Sequence, residues 1–402
     1  MEIVIVGGGL AAVSAVEELR ARGHDGSITL LGAEPHLPYE RPPLSKGVLL
    51  GNDAPDSVFV HDQQWYDDHR IDVRTGTEVT AIDLDRHHVH AGGETIPYQR
   101  LLLATGARPR RLAMADDADV RVSYLRSLED SAALKENLTG HVLVIGGGWI
   151  GLEVASAARQ AGAEVTVVEP MAMPLLSVLG RRLATVFADL HREHGVDLRL
   201  ETGVDSIRAA DDGAATVRLT DGHELRADLV VIGIGVQPVD DLAREAGLAT
   251  DNGVLVDATL RSSDPHVFAA GDVARHDHPS LGRRIRVEHW DTAIHQGRAA
   301  ARAMLGHDEP YTRLPYFFTD QYDLGMEYVG SADPEEVDEV VVRGDEAARV
   351  LTAFWLRGST VLAGMHLNDW DAIEPIRALV GNQVSVDALR DSDVPLDDLT
   401  SN

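Results

Sequence analysis

The chain opens on a run of apolar residues, Ile3–Val6, that stops at three glycines, and a similar run at residues 142–145 stops at a second glycine triplet. Short apolar runs bounded by glycine read as buried strands of a parallel sheet, not as the alternating strands of an open one. After the first triplet, residues 13–22 carry a helical pattern, and the apolar run Ile28–Leu31 follows, with Glu34 just beyond it. After the second, a helical pattern continues through Ala161 and leads to a strand at residues 165–168, closed by Glu169. The pattern predicts two copies of one strand–helix–strand unit.

The glycine spacing gives these units a chemistry. Gly7, Gly9 and Ala12 in the first copy, and Gly146, Gly148 and Gly151 in the second, follow the Gly-x-Gly-x-x-Gly plan, with Ala12 as a small substitute. The first glycine makes a tight turn, the second lets the backbone reach a pyrophosphate at the helix N-terminus, and the third packs helix on strand. The acidic residue near the end of the next strand accepts from a ribose hydroxyl. Both copies therefore predict dinucleotide binding.

Elsewhere, residues 70–97 alternate apolar and polar positions and predict a strand and a hairpin. Residues 101–107, 229–235 and 267–273 each predict a buried strand ending in small residues. Beyond residue 312, strand signals at 316–318, 340–343 and 351–356 and a helix at 372–380 predict a further α+β domain. The expected class is α/β, with two Rossmann-like dinucleotide-binding domains and a C-terminal α+β domain. The expected boundaries are 1–107 with 236–312, then 108–235, then 313–402.

Composition narrows the partners. The 402 residues include 36 Lys+Arg against 65 Asp+Glu, a net charge of −29 that repels nucleic acid and anionic membrane surfaces. The longest apolar runs fall far short of the roughly 20 residues that span a bilayer. Neither nucleic acid nor membrane is an expected partner; the strand-like start predicts no leader, and the expected location is cytoplasmic. There is no cysteine, which excludes disulfides, thiolate metal sites and thiol redox relays within the chain. Electron transfer, if any, runs through a bound organic cofactor. His87, His88 and His90, and His276 with His278, fit a hairpin and a polar loop, and no metal is expected.

With these motifs in place, the sequence resembles, over essentially its whole length, the FAD-dependent, NADH-specific ferredoxin reductases of oxygenase systems. The segment Tyr39-Glu40-Arg41-Pro42-Pro43-Leu44-Ser45-Lys46 is similar to the family's signature, as are Ala104-Thr105-Gly106-Ala107-Arg108-Pro109, Gly271-Asp272-Val273 and Glu288-His289-Trp290 to Gln296-Gly297. Two departures stand out: Phe317-Phe318 where the family usually has Phe-Trp, and Pro238-Val239 where it often has Pro-Asn.

The resemblance implies a glutathione-reductase-like fold that binds FAD and NADH. It implies that Gly7, Gly9 and Ala12 cradle the FAD pyrophosphate, Glu34 holds its ribose, Arg41 offers a forked cation to the phosphates and Lys46 a point charge near flavin N5. Val79, Ala104, Thr105, Gly106, Arg108, Gly271, Asp272, Glu288, His289 and Trp290 are the further FAD contacts expected. For the nicotinamide cofactor they are Gly146, Gly148, Ile150, Gly151, Glu169, Gly233 and Gly235. Glu153 is expected to face the nicotinamide and pair with Lys46, these two being the catalytic residues. Glu169 favours NADH, because a carboxylate accepts from the 2′-OH and repels a 2′-phosphate, and residues 170–173 bring no Arg or Lys.

The implied cycle moves hydride from NADH to FAD and then single electrons to a [2Fe-2S] ferredoxin serving a cytochrome P450 or other oxygenase. Arg298, Arg302 and Arg313 are the expected docking cations. Two alternatives remain at this point. One is an NADH oxidase or diaphorase with oxygen or quinone as acceptor; the other is an NADH-sensing scaffold resembling apoptosis-inducing factor.

Overall fold

The computed structural model describes residues 1–400, and the chain folds into two compact units. The first gathers Met1–Glu40, Asp56–Arg108 and Gln237–Tyr316; the second gathers Arg41–Pro55, Pro109–Val236 and the chain from Phe317 onward.

The first unit is built on a five-stranded parallel sheet in the order Val267–Ala269, Arg100–Leu103, Ile3–Val6, Ile28–Leu31, Ile71–Arg74. All of Ile3–Val6 is buried; its apolar run is what a central strand covered on both faces requires. The helix Leu10–Ala21 begins directly after Gly9, earlier than residue 13, and packs on the helix Trp290–Met304. Their backbones touch, since a Cβ on Gly297 would lie 2.2 Å from the Ala11 carbonyl oxygen. Residues 70–97 give one strand to the parallel sheet and then a three-stranded antiparallel sheet, Val79–Asp83, His88–Ala91 and Glu94–Pro97. The last of these buries only Ile96. A second three-stranded sheet joins Val254–Val256, Ala274–His278 and Arg283–Ile285.

The second unit repeats the plan. Its parallel sheet runs Asp197–Leu200, Glu164–Glu169, His141–Ile145, Leu229–Ile232, Val122–Ser123, again with the glycine-bearing strand in the middle. The helix Trp149–Gln160 follows that strand. Three antiparallel strands, Val204–Ala209, Ala215–Leu219 and Glu224–Ala227, form a separate sheet.

The C-terminal part is a five-stranded antiparallel sheet in the order Tyr316–Gln321, Leu324–Gly330, Thr360–Leu367, Val350–Arg357, Glu339–Asp345, followed by the helices Ile373–Leu379 and Val386–Arg390. Leu324–Gly330 and Thr360–Leu367 escape the sequence pattern because both are buried along most of their length and so lack alternation. Met326, Trp355 and Met365 of this sheet share a core with Leu183, Phe187 and Leu190 of the helical stretch Leu176–Glu193. Among the described residues, no helix is long and apolar enough to cross a membrane, and no group of three or more His, Cys, Asp or Glu is placed to hold a metal ion.

Candidate functional site

Gly7 leaves the strand Ile3–Val6 at φ +118°, and its N–H donates to the Leu31 carbonyl at 2.8 Å. A Cβ there would lie 2.1 Å from the Ala104 carbonyl oxygen, so only glycine lets the turn pass the neighbouring strand end. Gly9 precedes the helix with φ −94° and ψ −174°, and no side chain caps the helix start. A Cβ on Gly9 would meet nothing within 4 Å. The first-turn N–H groups of the helix therefore stand beside open space, which suits a pyrophosphate.

The second turn has the same geometry. Gly146, at φ +110°, donates to the Val168 carbonyl at 2.9 Å, and its Cβ would lie 2.4 Å from the Gly233 carbonyl oxygen. Gly148 precedes the helix Trp149–Gln160 with φ −80° and ψ −178°, again without a side-chain cap and again with open space where a Cβ would stand. The copies differ at the third position. A Cβ on Gly151 would lie 2.1 Å from the Gly146 carbonyl oxygen, whereas Ala12 sits fully buried in the first copy. Ile150 is 45% exposed beside the turn, and the Gly235 carbonyl, in a residue at φ +92°, accepts from Arg110 N–H at 2.9 Å. Both cradles fit a dinucleotide.

The two acidic residues are tied locally. Glu34 accepts from the Tyr39 hydroxyl. Glu169 accepts from Gly147 N–H at 2.7 Å through Oε2 and from Met171 N–H at 2.9 Å through Oε1. Each carboxylate oxygen has two acceptor sites, so these bonds fix Glu169 against its glycine turn and leave capacity for a ribose hydroxyl.

The remaining first-unit candidates surround the ends of its strands. Val79 is buried at the head of its strand, and Ala104 is buried at the end of Arg100–Leu103. Thr105 Oγ1 donates to the Val239 carbonyl at 2.6 Å, and Gly106, at φ +71°, accepts from Val239 N–H at 2.9 Å. Arg108 pairs with Asp241 at 2.8 Å. Gly271, at φ +78°, donates to Gln296 Oε1 at 2.9 Å, and the Asp272 carbonyl accepts from Arg286, which also pairs with Glu288. His289 is the residue before the helix that Trp290 opens, and its ring meets that of Tyr316 edge-on at 6.1 Å.

The three expected docking arginines all hold carboxylates of their own unit: Arg298 with Glu17 at 3.4 Å, Arg302 with Glu18 at 3.2 Å, and Arg313 with Asp291 through two bonds of 2.8 and 2.7 Å.

Arg41 and Lys46 fold with the second unit. Arg41 donates to the Arg126 carbonyl at 2.5 Å, and Ser131 Oγ donates to the Leu44 carbonyl at 2.7 Å, so the loop is fastened on both sides of its prolines. Lys46 follows the short 3-10 turn Pro42–Ser45 and donates from Nζ to Glu153 Oε1 at 2.8 Å. Glu153, only 4% exposed, also accepts from Ser45 Oγ at 2.5 Å and from Thr319 Oγ1 at 2.6 Å. Three donors thus satisfy a carboxylate that burial strips of water. Lys46 Nζ also stands 5.4 Å from the centre of the Phe318 ring, within cation–π range. Ser45 and Thr319 were not expected as site residues, and nothing in local spacing points to Thr319, which lies 166 positions from its partner.

Residues 1–297 match the pyridine nucleotide-disulphide oxidoreductase family, and residues 316–400 match the reductase C-terminal family. The ferredoxin–NAD(+) reductase component of the anthranilate 1,2-dioxygenase system of Burkholderia cepacia is 45% identical over 358 residues, 88% of this chain and 87% of that protein. This chain belongs to the ferredoxin–NAD(+) reductases. Putidaredoxin reductase of Pseudomonas putida is 37% identical over 407 residues, covering 99% of this reductase and 96% of its relative. The solved covalent putidaredoxin reductase–putidaredoxin complex matches with a TM-score of 0.95 at 36% identity, covering 100% of this chain and 98% of that one. The α/β class expected from the duplicated glycine units is therefore that of the family, and the reductase uses FAD and NADH.

Proposed function

We propose that this reductase takes hydride from NADH onto FAD and passes single electrons to a [2Fe-2S] ferredoxin that serves an oxygenase or cytochrome P450. The observation that carries this reading is the pair of open glycine cradles, Gly7–Gly9 and Gly146–Gly148, in a chain without cysteine. Two dinucleotides have room to bind, and no thiol can take electrons from the flavin, so they leave for an external carrier. The kinship with the reductase component of a dioxygenase system and with putidaredoxin reductase points the same way.

In this reading residues 1–107 and 236–312 hold FAD, 108–235 hold NADH, and 313–402 form the C-terminal domain. Bound FAD supplies the change from two-electron to one-electron chemistry. The glycine turns bind the pyrophosphates, with Glu34 and Glu169 orienting the riboses. Arg41 serves the FAD phosphates, and the remaining FAD candidates, from Val79 to Trp290, line its binding site. Lys46 holds a positive charge for the reduced flavin, and Glu153 fixes that lysine and the nicotinamide side. Arg298, Arg302 and Arg313, each paired with a carboxylate of its own unit, are the docking cations toward an acidic ferredoxin, and the reductase works in the cytoplasm.

The test is anaerobic stopped-flow mixing of the FAD-loaded protein with NADH, then with a [2Fe-2S] ferredoxin, oxygen or a quinone. NADH is expected to bleach the flavin, and ferredoxin to reoxidise it fastest, with a rate that falls as salt rises. Faster reoxidation by oxygen or quinone supports an oxidase or diaphorase instead, and slow turnover with every one-electron acceptor supports a sensing scaffold.

A further inference from the structure

Glu153 sits at the end of a buried hydrogen-bond chain that the Lys46 pair alone does not explain. Thr319 Oγ1 donates to Glu153 Oε1 at 2.6 Å and accepts from Gln321 Nε2 at 3.2 Å. Gln321 Oε1 lies 2.8 Å from His191 Nε2. The directions follow from the carboxylate. Glu153 can only accept, so Thr319 gives it the hydroxyl proton and takes Gln321 Nε2–H on its lone pair. The Gln321 carbonyl oxygen then faces His191, which must carry its proton on Nε2.

Every donor in the chain points toward Glu153. Thr319 and Gln321 are each 1% exposed and His191 is fully buried, so water cannot replace a missing member at low cost. The chain spans the C-terminal sheet strand Tyr316–Gln321 and the end of the helical stretch Leu176–Glu193, and it reaches the helix Trp149–Gln160 that bears Glu153. The strand that brings Thr319 to the carboxylate also brings Phe318 to the lysine.

We infer that Thr319, held by Gln321 and His191, is a positioning residue that orients Glu153 so that its Oε1 engages Lys46, an inference that rests on the proposed role of the Lys46–Glu153 pair in hydride transfer. Ser45 fixes the other carboxylate oxygen. Without the Thr319 bond, the carboxylate can rotate and the ammonium group loses its fixed acceptor.

The chain's composition supplies an unusually clean probe, because Lys46 and Lys135 are its only lysines. With 15N-lysine labelling of the FAD-loaded protein, Lys46 and Lys135 each give one ammonium signal, assigned through Lys135→Arg. Thr319→Val keeps the shape and removes the donor; Thr319→Ser keeps the donor. The Lys46 signal is expected to be sharp and exchange-protected in the parent and in Thr319→Ser, and broadened in Thr319→Val, with Lys135 unchanged in all three. Flavin reduction by NADH in Thr319→Val is expected to slow about tenfold, as loss of one buried hydrogen bond allows, with NADH affinity unaltered and Thr319→Ser close to the parent. Equal Lys46 signals in the parent and Thr319→Val, or a Thr319→Ser that behaves like Thr319→Val, overturn the inference. Lys46→Met separates the underlying reading: if it leaves flavin reduction unchanged, the role of the pair fails, while the signals of the two Thr319 variants still decide whether Thr319 orients it.

Discussion

Lys46 Nζ donates to Glu153 Oε1 at 2.8 Å, across 107 positions of sequence. The lysine's side chain is 19% exposed and the glutamate's 4%, so removing one charge leaves the other poorly solvated. Glu153→Gln keeps the shape while removing the anion. Its expected effect is on the chemical step: flavin reduction at saturating NADH should slow by about tenfold or more, since differential stabilisation of roughly 1.4 kcal/mol is a factor of ten. Single-turnover stopped flow checks this, with KM for NADH changing far less than the rate.

The glycines of one turn should fail in different ways. Gly7→Ala puts a methyl group against the Ala104 carbonyl at a φ of +118°, and the expected result is loss of folded protein. Gly9→Ala has room in the protein itself; it should fold with near-parental secondary structure yet purify with little FAD, because the methyl takes the place of the pyrophosphate. Circular dichroism and flavin-to-protein absorbance separate the two, and Gly148→Ala should likewise spare folding while raising KM for NADH.

Glu169 accepts from Gly147 and Met171 N–H groups, which holds its charge at the second turn. Glu169→Gln keeps the acceptor oxygen but removes the repulsion toward a 2′-phosphate. The preference for NADH over NADPH in kcat/KM is expected to fall by about tenfold, a change of roughly 1.4 kcal/mol, mostly through KM for NADPH. Steady-state ferricyanide reduction with both cofactors measures it.

Acid should loosen the fold through buried histidines. Burial pushes His191 down to about 4, and His276 likewise to about 4, from an ordinary 6.5. The unfolded chain takes up these protons below pH 6.5 while the folded protein does not, so stability is unaffected by them above that pH and falls as pH drops from 6.5 toward 4. Each histidine contributes a slope approaching 1.4 kcal/mol per pH unit, about one proton. In urea unfolding between pH 6.5 and 4, His191→Gln is expected to be less acid-sensitive than the parent by about one proton's worth of slope; an unchanged slope contradicts the assignment.

The parts of the site that were readable from the chain are those written in local backbone geometry. Gly7 and Gly146 announce themselves because a Cβ at either meets a neighbouring strand's carbonyl, and the following helix and acidic residue lie at fixed distances along the same unit. The Lys46 loop was readable through its contiguous motif. The bonds of Ser45 and Thr319 to Glu153 were not, because they depend on folding to bring the carboxylate to them, and no spacing rule links residues so far apart. The arginines illustrate the same limit: Arg298 and Arg302 look like free cations on a helical pattern, yet packing of Trp290–Met304 on Leu10–Ala21 sets them against Glu17 and Glu18. In the C-terminal sheet, strands buried along most of their length carry no alternation, so Leu324–Gly330 and Thr360–Leu367 emerged only in the structure.

Whether electrons pass from NADH to a ferredoxin is tested most directly by cytochrome c reduction by the FAD-loaded protein, assayed with and without a [2Fe-2S] ferredoxin and with NADH or NADPH as donor. Rapid reduction with NADH that depends on added ferredoxin is expected, and little with NADPH. Reduction that is indifferent to ferredoxin, or that runs as well on NADPH, would contradict the proposed function.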